Sequence, residues 1–279
     1  MSSVRIVTDS ACDLPTDIID RYGIAVVPLT IRFGNDEYVD RRDLTPADFW
    51  RMCRSSDTLP ETSAPSPGSF AQAYAALAAE GAEGIVVVDL SGALSATIEA
   101  ARQAAREAPD GLDVHVVDSR SVSMGLGALV VQAAEQAASG ASAPEVAEAI
   151  TAGAARTKVY GTLNTLENLR KGGRIGAAQS LLGSLLDIKP LIEVRDGVVE
   201  PAGRQRTRRR ALAWLVDTVR REPAVERLTV MHADCDDLGA LVDQLEPLYD
   251  GEILVGDIGA VIGTHAGPGT IGVTFQTPP

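Results

Sequence analysis

Two stretches of this chain hold residues whose types and spacing could do chemistry. In DLSGALSATIEAA (89–101) an apolar strand run gives way to a polar turn and then to a helical run, with Ser95 at the turn. In GTHAGPGTIG (263–272) four glycines surround His265. Glycine allows close backbone approach, so a loop here would bring His265 up to whatever is bound. One reading joins the two as a serine hydrolase, with Asp9 or Asp118 as the third member. The neighbours of Ser95 are Ala93, Leu94, Ala96 and Thr97, so the glycines of a G-x-S-x-G elbow are missing. Ser95 then reads as a helix N-cap, whose free N–H groups attract an anion. The lysine of a nucleotide P-loop is also absent.

Further polar groups fall at element ends. Thr62 and Ser63 precede a helix start capped by Ser66 in ETSAPSPGSF (61–70), which makes a weak carboxylate site. Asp9, Ser10 and Asp13 follow a strand in TDSACDLP (8–15), where they either shape the turn or line a site. LRKGGRIG and GRQRTRRRA concentrate Arg170, Lys171, Arg174, Arg204, Arg206, Arg208, Arg209 and Arg210 in an acidic chain. Such a cluster is either a solvated helix face or a contact for a phosphate or a partner.

The elements that must position these groups alternate. VRIVTDS, GIVVVDLS and DVHVVDS read as strands, separated by Ala-rich helical runs with Thr45 and Ser66 as N-caps and Gly23 as a C-cap. Repeated strand–helix units predict an α/β fold with a mainly parallel sheet flanked by helices. In such sheets ligands sit at the carboxyl ends of strands, here after Val7, Leu90 and Val117. The second half reads as a mixed α/β sheet domain. It includes a helix over 177–194 that leads into a strand, and a hairpin partner over 197–206. The domain change is placed at 157, giving domains 1–157 and 158–279.

Bulk properties exclude several classes. A net charge of −13 opposes nucleic-acid backbones, and 4% aromatic residues leave little for base stacking. Cys12, Cys53 and Cys235 are far apart with no CxxC, so neither a zinc site nor a disulfide framework is expected. No other metal and no cofactor is expected. The opening MSSVRIVTDSACDLP enters a strand pattern without a basic-then-apolar leader, so a cytoplasmic location is expected.

Seven motifs, in order, carry a resemblance. They are VTDSACDL, TSAPSPGSF, LSGALSATIEAA, VVDSRSVSMGLG, LENLRKGGRIG, IKPLIEVRDGVV with RTRRRAL, and IGTHAGPGTIGV. The chain resembles DegV-type proteins, the fatty-acid-binding (FakB-type) subunits of bacterial fatty acid kinase, over essentially its whole length. The resemblance implies two α/β domains with one long-chain fatty acid between them. It implies a carrier rather than an enzyme, with a separate ATP-dependent kinase subunit forming the acyl phosphate for phospholipid synthesis. It also implies transient membrane-surface contact for fatty acid exchange. Thr62 or Ser63, Ser95 and His265 would hold the carboxylate. Residues 180–194 and the small-residue helices would wall the tail. Arg174 foremost, with Arg170, Arg204 and Arg206, would meet the kinase. Ala64, Ala96, Ile98 and Glu99 depart from the family pattern, which would alter the wall near Ile98.

Overall fold

The computed structural model describes residues 3–56, 58–182 and 188–279. Its first half runs β1 (Val4–Asp9), α1 (Thr16–Tyr22), β2 (Ala25–Val27), β3 (Thr30–Phe33), β4 (Asp36–Val39), α2 (Pro46–Ser55), β5 (Glu61–Ser63), α3 (Pro67–Ala79), β6 (Gly84–Asp89), α4 (Thr97–Arg106), β7 (Asp113–Asp118), α5 (Met124–Ala138) and α6 (Ala143–Arg156). Strands in the order β2-β1-β6-β7 pair in parallel. β6 is buried at every position, as its unbroken apolar run requires when helices cover both faces. The run IAVVPLTIRF divides at Pro28, which has no N–H to give a ladder. β2 stays in the parallel sheet, while β3 enters a small antiparallel sheet of order β4-β3-β5. There Ile31 pairs with Thr62.

The second half runs β8 (Thr157–Thr162), α7 (Glu167–Lys171), β9 (Lys189–Arg195), β10 (Val198–Gln205), α8 (Arg208–Arg220), β11 (Glu226–His232), α9 (Leu238–Leu245), β12 (Leu254–Asp257), α10 (Ala260–Ala266) and β13 (Ile271–Gln276). These strands form a six-stranded mixed sheet in the order β10-β9-β8-β13-β11-β12, with β11 and β12 parallel and the other pairs antiparallel. The expected α/β class, with a parallel and a mixed sheet, is the one observed. α5 lies between the sheets and is buried from Met124 through Ala134, touching β1 and β6 on one side and β8, β11 and β13 on the other.

Three local expectations change. The stretch 263–272 is not wholly a loop: α10 continues through His265 to Ala266, and the loop is confined to Gly267–Thr270. Gly263 is a packing glycine, since a Cβ there would stand 2.7 Å from Phe49 Cε1 and 2.8 Å from Trp50 ring atoms. The helix expected over 177–194 is a 3-10 turn at Gly176–Leu181 followed by β9, and residues 183–187 lie outside the described residues. Ser95 stands one residue before the cap position, with Ala96 flanking the helix, although Ser95 Oγ still accepts from Thr97 N at 3.3 Å. The caps at Thr45 and Ser66 form as expected.

α10 is held from two directions. Trp50 Nε1 donates to the Ile258 carbonyl at 3.0 Å, and Gly259 N donates to the buried Asp13 carboxylate at 2.9 Å. Gly263→Ala would push α10 off these rings and should cost about 1–3 kcal/mol by overpacking. Denaturant unfolding checks this; stability equal to the parent would contradict the packing role.

Candidate ligand-binding site

A narrow cavity of about 100 Å³ lies between the sheets. Most of its wall is aliphatic. Leu29, Leu90 and Val122 come from the first half, and Val159, Ile192, Val194, Met231, Ile258, Val261 and Ile262 from the second. Ile192 and Val194 belong to the stretch expected to form the wall. The small-residue helices expected beside them do not face it. α10 and the mixed sheet supply that side instead. Ile98 is buried in the core and is not a lining residue.

Thr62, Ser95, Arg174 and His265 bring polar side chains into this wall. Thr62 Oγ1 lies 3.0 Å from His265 Nε2, joining positions 203 apart in the chain. Alternation along β5 turns Thr62 inward, whereas its neighbour Ser63 is exposed and outside the cavity wall. Arg174 Nε donates to the Leu94 carbonyl at 3.0 Å, next to Ser95, and Nη1 donates to the Gly172 carbonyl at 2.8 Å. Nη2 makes no hydrogen bond among the described residues. Ser95 Oγ lies 2.9 Å from Thr97 Oγ1. The remaining hydroxyls of the wall are consumed internally: Ser123 donates to Asp13 at 2.6 Å and Thr270 to the Ala266 carbonyl at 2.8 Å.

The electrostatics define what this group can bind. Burial, and then the nearby Arg174 charge, push the His265 imidazole down to about 4, so it is neutral at pH 7. Among the described residues its buried Nδ1 has no hydrogen-bond partner, and it faces Gly172, where a Cβ would stand 2.3 Å away. A proton on Nε2 leaves no donor orphaned, since Nε2–H then donates to Thr62 Oγ1. The Thr62 hydroxyl proton is thereby free to donate into the cavity. Two hydroxyl donors and one guanidinium, set in an apolar wall, suit the carboxylate of an amphiphile.

They do not suit nucleophilic attack. Ser95 is hydrogen-bonded to Thr97 and not to His265, and no carboxylate meets His265 Nδ1 among the described residues. Asp9 accepts instead from Leu90 N at 2.7 Å and Ala11 N at 2.8 Å, and Asp118 from Arg120 N at 2.8 Å. The serine-hydrolase arrangement is therefore not assembled.

Several residues matter here beyond those expected to hold the carboxylate. Asp13, pushed up to about 7 by burial, braces α10 through Gly259 and the cavity wall through Ser123. Asp9, raised to about 6 by burial, ties the β6–α4 loop to the end of β1. Gly172 admits the His265 ring, and Asn168 Nδ2 donates to the Thr264 carbonyl at 3.0 Å. Arg170, Arg204 and Arg206 are exposed, whereas Arg174 is half-buried in the cavity wall.

The sequence profile described as an uncharacterised protein of the DegV family matches residues 3–277. The chain belongs to the DegV family. It is similar to a DegV domain-containing protein of Streptomyces coelicolor, 40% identical over 98% of both chains. A DegV domain-containing protein of Deinococcus radiodurans is 39% identical, again over 98% of each. Among solved structures, a fatty-acid-binding DegV family protein from Thermus thermophilus superposes with a TM-score of 0.90 at 35% identity, covering 100% of both chains. DegV of Bacillus subtilis, described as a fatty acid binding protein, gives 0.88 at 27% identity with 100% of both covered. Among the described residues of this DegV protein, no helix is long and apolar enough to cross a membrane.

Because burial and Arg174 both disfavour the imidazolium, the stability His265 contributes is present above its unfolded value of 6.5. It is lost as pH falls through about 4. NMR of the imidazole should show a neutral ring from pH 8 down to about pH 5. A midpoint at or above 6.5 would contradict this electrostatic account.

Proposed function

We propose that this DegV protein buries a long-chain fatty acid and presents its carboxylate to a separate ATP-dependent kinase subunit. The observation that carries the reading is the Thr62–His265 hydrogen bond, with Arg174 and Ser95 in the same mostly aliphatic cavity wall. The fatty acid binding of structural neighbours in the same family supports it. The tail is held by apolar burial at about 0.8 kcal/mol per methylene, which favours long chains over short ones. Thr62 and Ser95 donate to the carboxylate, and Arg174 supplies the adjacent positive charge. His265 acts from behind, by orienting the Thr62 hydroxyl.

Among the described residues, Ser95 at this site bonds Thr97 and not His265. On this reading a carboxylate oxygen attacks the terminal phosphoryl group of ATP on the partner, giving the acyl phosphate with ADP as leaving group. The exposed Arg170, Arg204 and Arg206 are the proposed docking residues, since an acidic chain with a local basic surface is suited to a partner of opposite charge. Arg174, half-buried beside His265, acts on the carboxylate from the same side.

Mass spectrometry of a denatured extract should show a co-purified or freely exchanged long-chain fatty acid. Neither co-purification nor uptake of added fatty acid would overturn the reading. Ser95→Ala should weaken binding by about 10- to 100-fold, the value of a hydrogen bond to a charged group. An Arg204→Ala/Arg206→Ala variant should keep fatty acid affinity and lose kinase-dependent turnover. Turnover equal to the parent would remove the docking assignment.

A further inference from the structure

Directly paired residues on adjacent strands share a face of the sheet. One such row crosses the mixed sheet through Pro201, Ile192, Gly161, Gly272, Met231 and Gly256. Glycine weakens a strand interior, and it marks places where something approaches closely. Two of the three glycines are explained by the protein itself. A Cβ at Gly272 would stand 2.5 Å from Met231 Cε and 2.6 Å from the Tyr160 carbonyl, and one at Gly256 would stand 2.3 Å from Met124 Sδ.

Gly161 has no such reason. The nearest atoms to a Cβ there, Ile192 Cγ1 and the Ile271 carbonyl, are 3.7 Å away, which is ordinary contact. Its φ is not positive, so the backbone does not require glycine either. Gly161 is nevertheless buried, and it lines the cavity. Ile192 and Met231, from the same row, line that cavity with it.

We propose that Gly161 determines acyl-chain specificity: its missing side chain forms the passage for the tail, and Met231, folded over Gly272, is the opposing wall. The inference rests on the fatty-acid reading above and adds which position sets the room for the chain. A side chain at 161 would deny burial to part of a long tail, and each methylene so excluded costs about fourfold in affinity.

The test compares hexadecanoate and octanoate binding by the purified parent, Gly161→Ala, Gly161→Val and Gly272→Ala. Gly161→Ala should have a thermal midpoint at or above the parent's, because its methyl group meets ordinary contacts, yet bind hexadecanoate more weakly. Gly161→Val should lose about tenfold or more in its preference for hexadecanoate over octanoate. Gly272→Ala should lower the midpoint. If Gly161→Val does not fold, Gly161→Ala carries the test by a smaller shift in the same direction. Unchanged chain-length preference in the folded Gly161 variants overturns this inference alone, as does an equal loss for both acids. A parent that binds neither acid overturns the carrier reading, and this inference with it.

Discussion

The contact between Thr62 and His265 links a short edge strand near the start of the chain to the last helix. It sets a constraint that the surrounding structure meets. A polar donor held in an apolar wall must find an acceptor, or it costs more than it contributes. The ring therefore needs a fixed helix, a neutral charge state and a neighbour small enough to lie against. α10, pinned through Ile258 and Gly259, supplies the first, burial and Arg174 the second, and Gly172 the third. The same arrangement leaves the Thr62 proton directed at the cavity.

Buried carboxyl groups carry much of this support. Asp9 ends β1 and Asp13 closes the short 3-10 turn that follows it. Each is raised chiefly by desolvation, and each accepts from backbone N–H groups of distant segments. Their place is the frame of the site rather than its lining. Of the loops expected at strand carboxyl ends, those after β6 and β7 line the cavity, through Leu90, Leu94, Ser95 and Val122.

Much of the fold was legible because it is written in local terms. Strand–helix alternation, the Thr45 and Ser66 caps and the proline break at position 28 all follow from short-range chemistry. Thr62, Ser95 and His265 could be singled out on the same footing, with the family resemblance joining them. What was not legible depends on distance in the chain. Asp13 meets Gly259 across 246 positions, and nothing local signals it. The glycines of 263–272 suggested a loop because their count was visible and the rings of Phe49 and Trp50 behind Gly263 were not. Arg174 was grouped with the surface arginines by sequence, although a hydrogen bond to the Leu94 carbonyl turns it inward.

The account rests on a clamp that recognises a carboxylate and not merely on an apolar cavity. Calorimetric affinities for hexadecanoic acid and hexadecanol, which share a tail and differ in the head group, separate the two. A clamp of two hydroxyls and a guanidinium predicts that the acid binds at least about tenfold more tightly than the alcohol at pH 7, from hydrogen bonds to a charged group. Equal affinity for the two would contradict it.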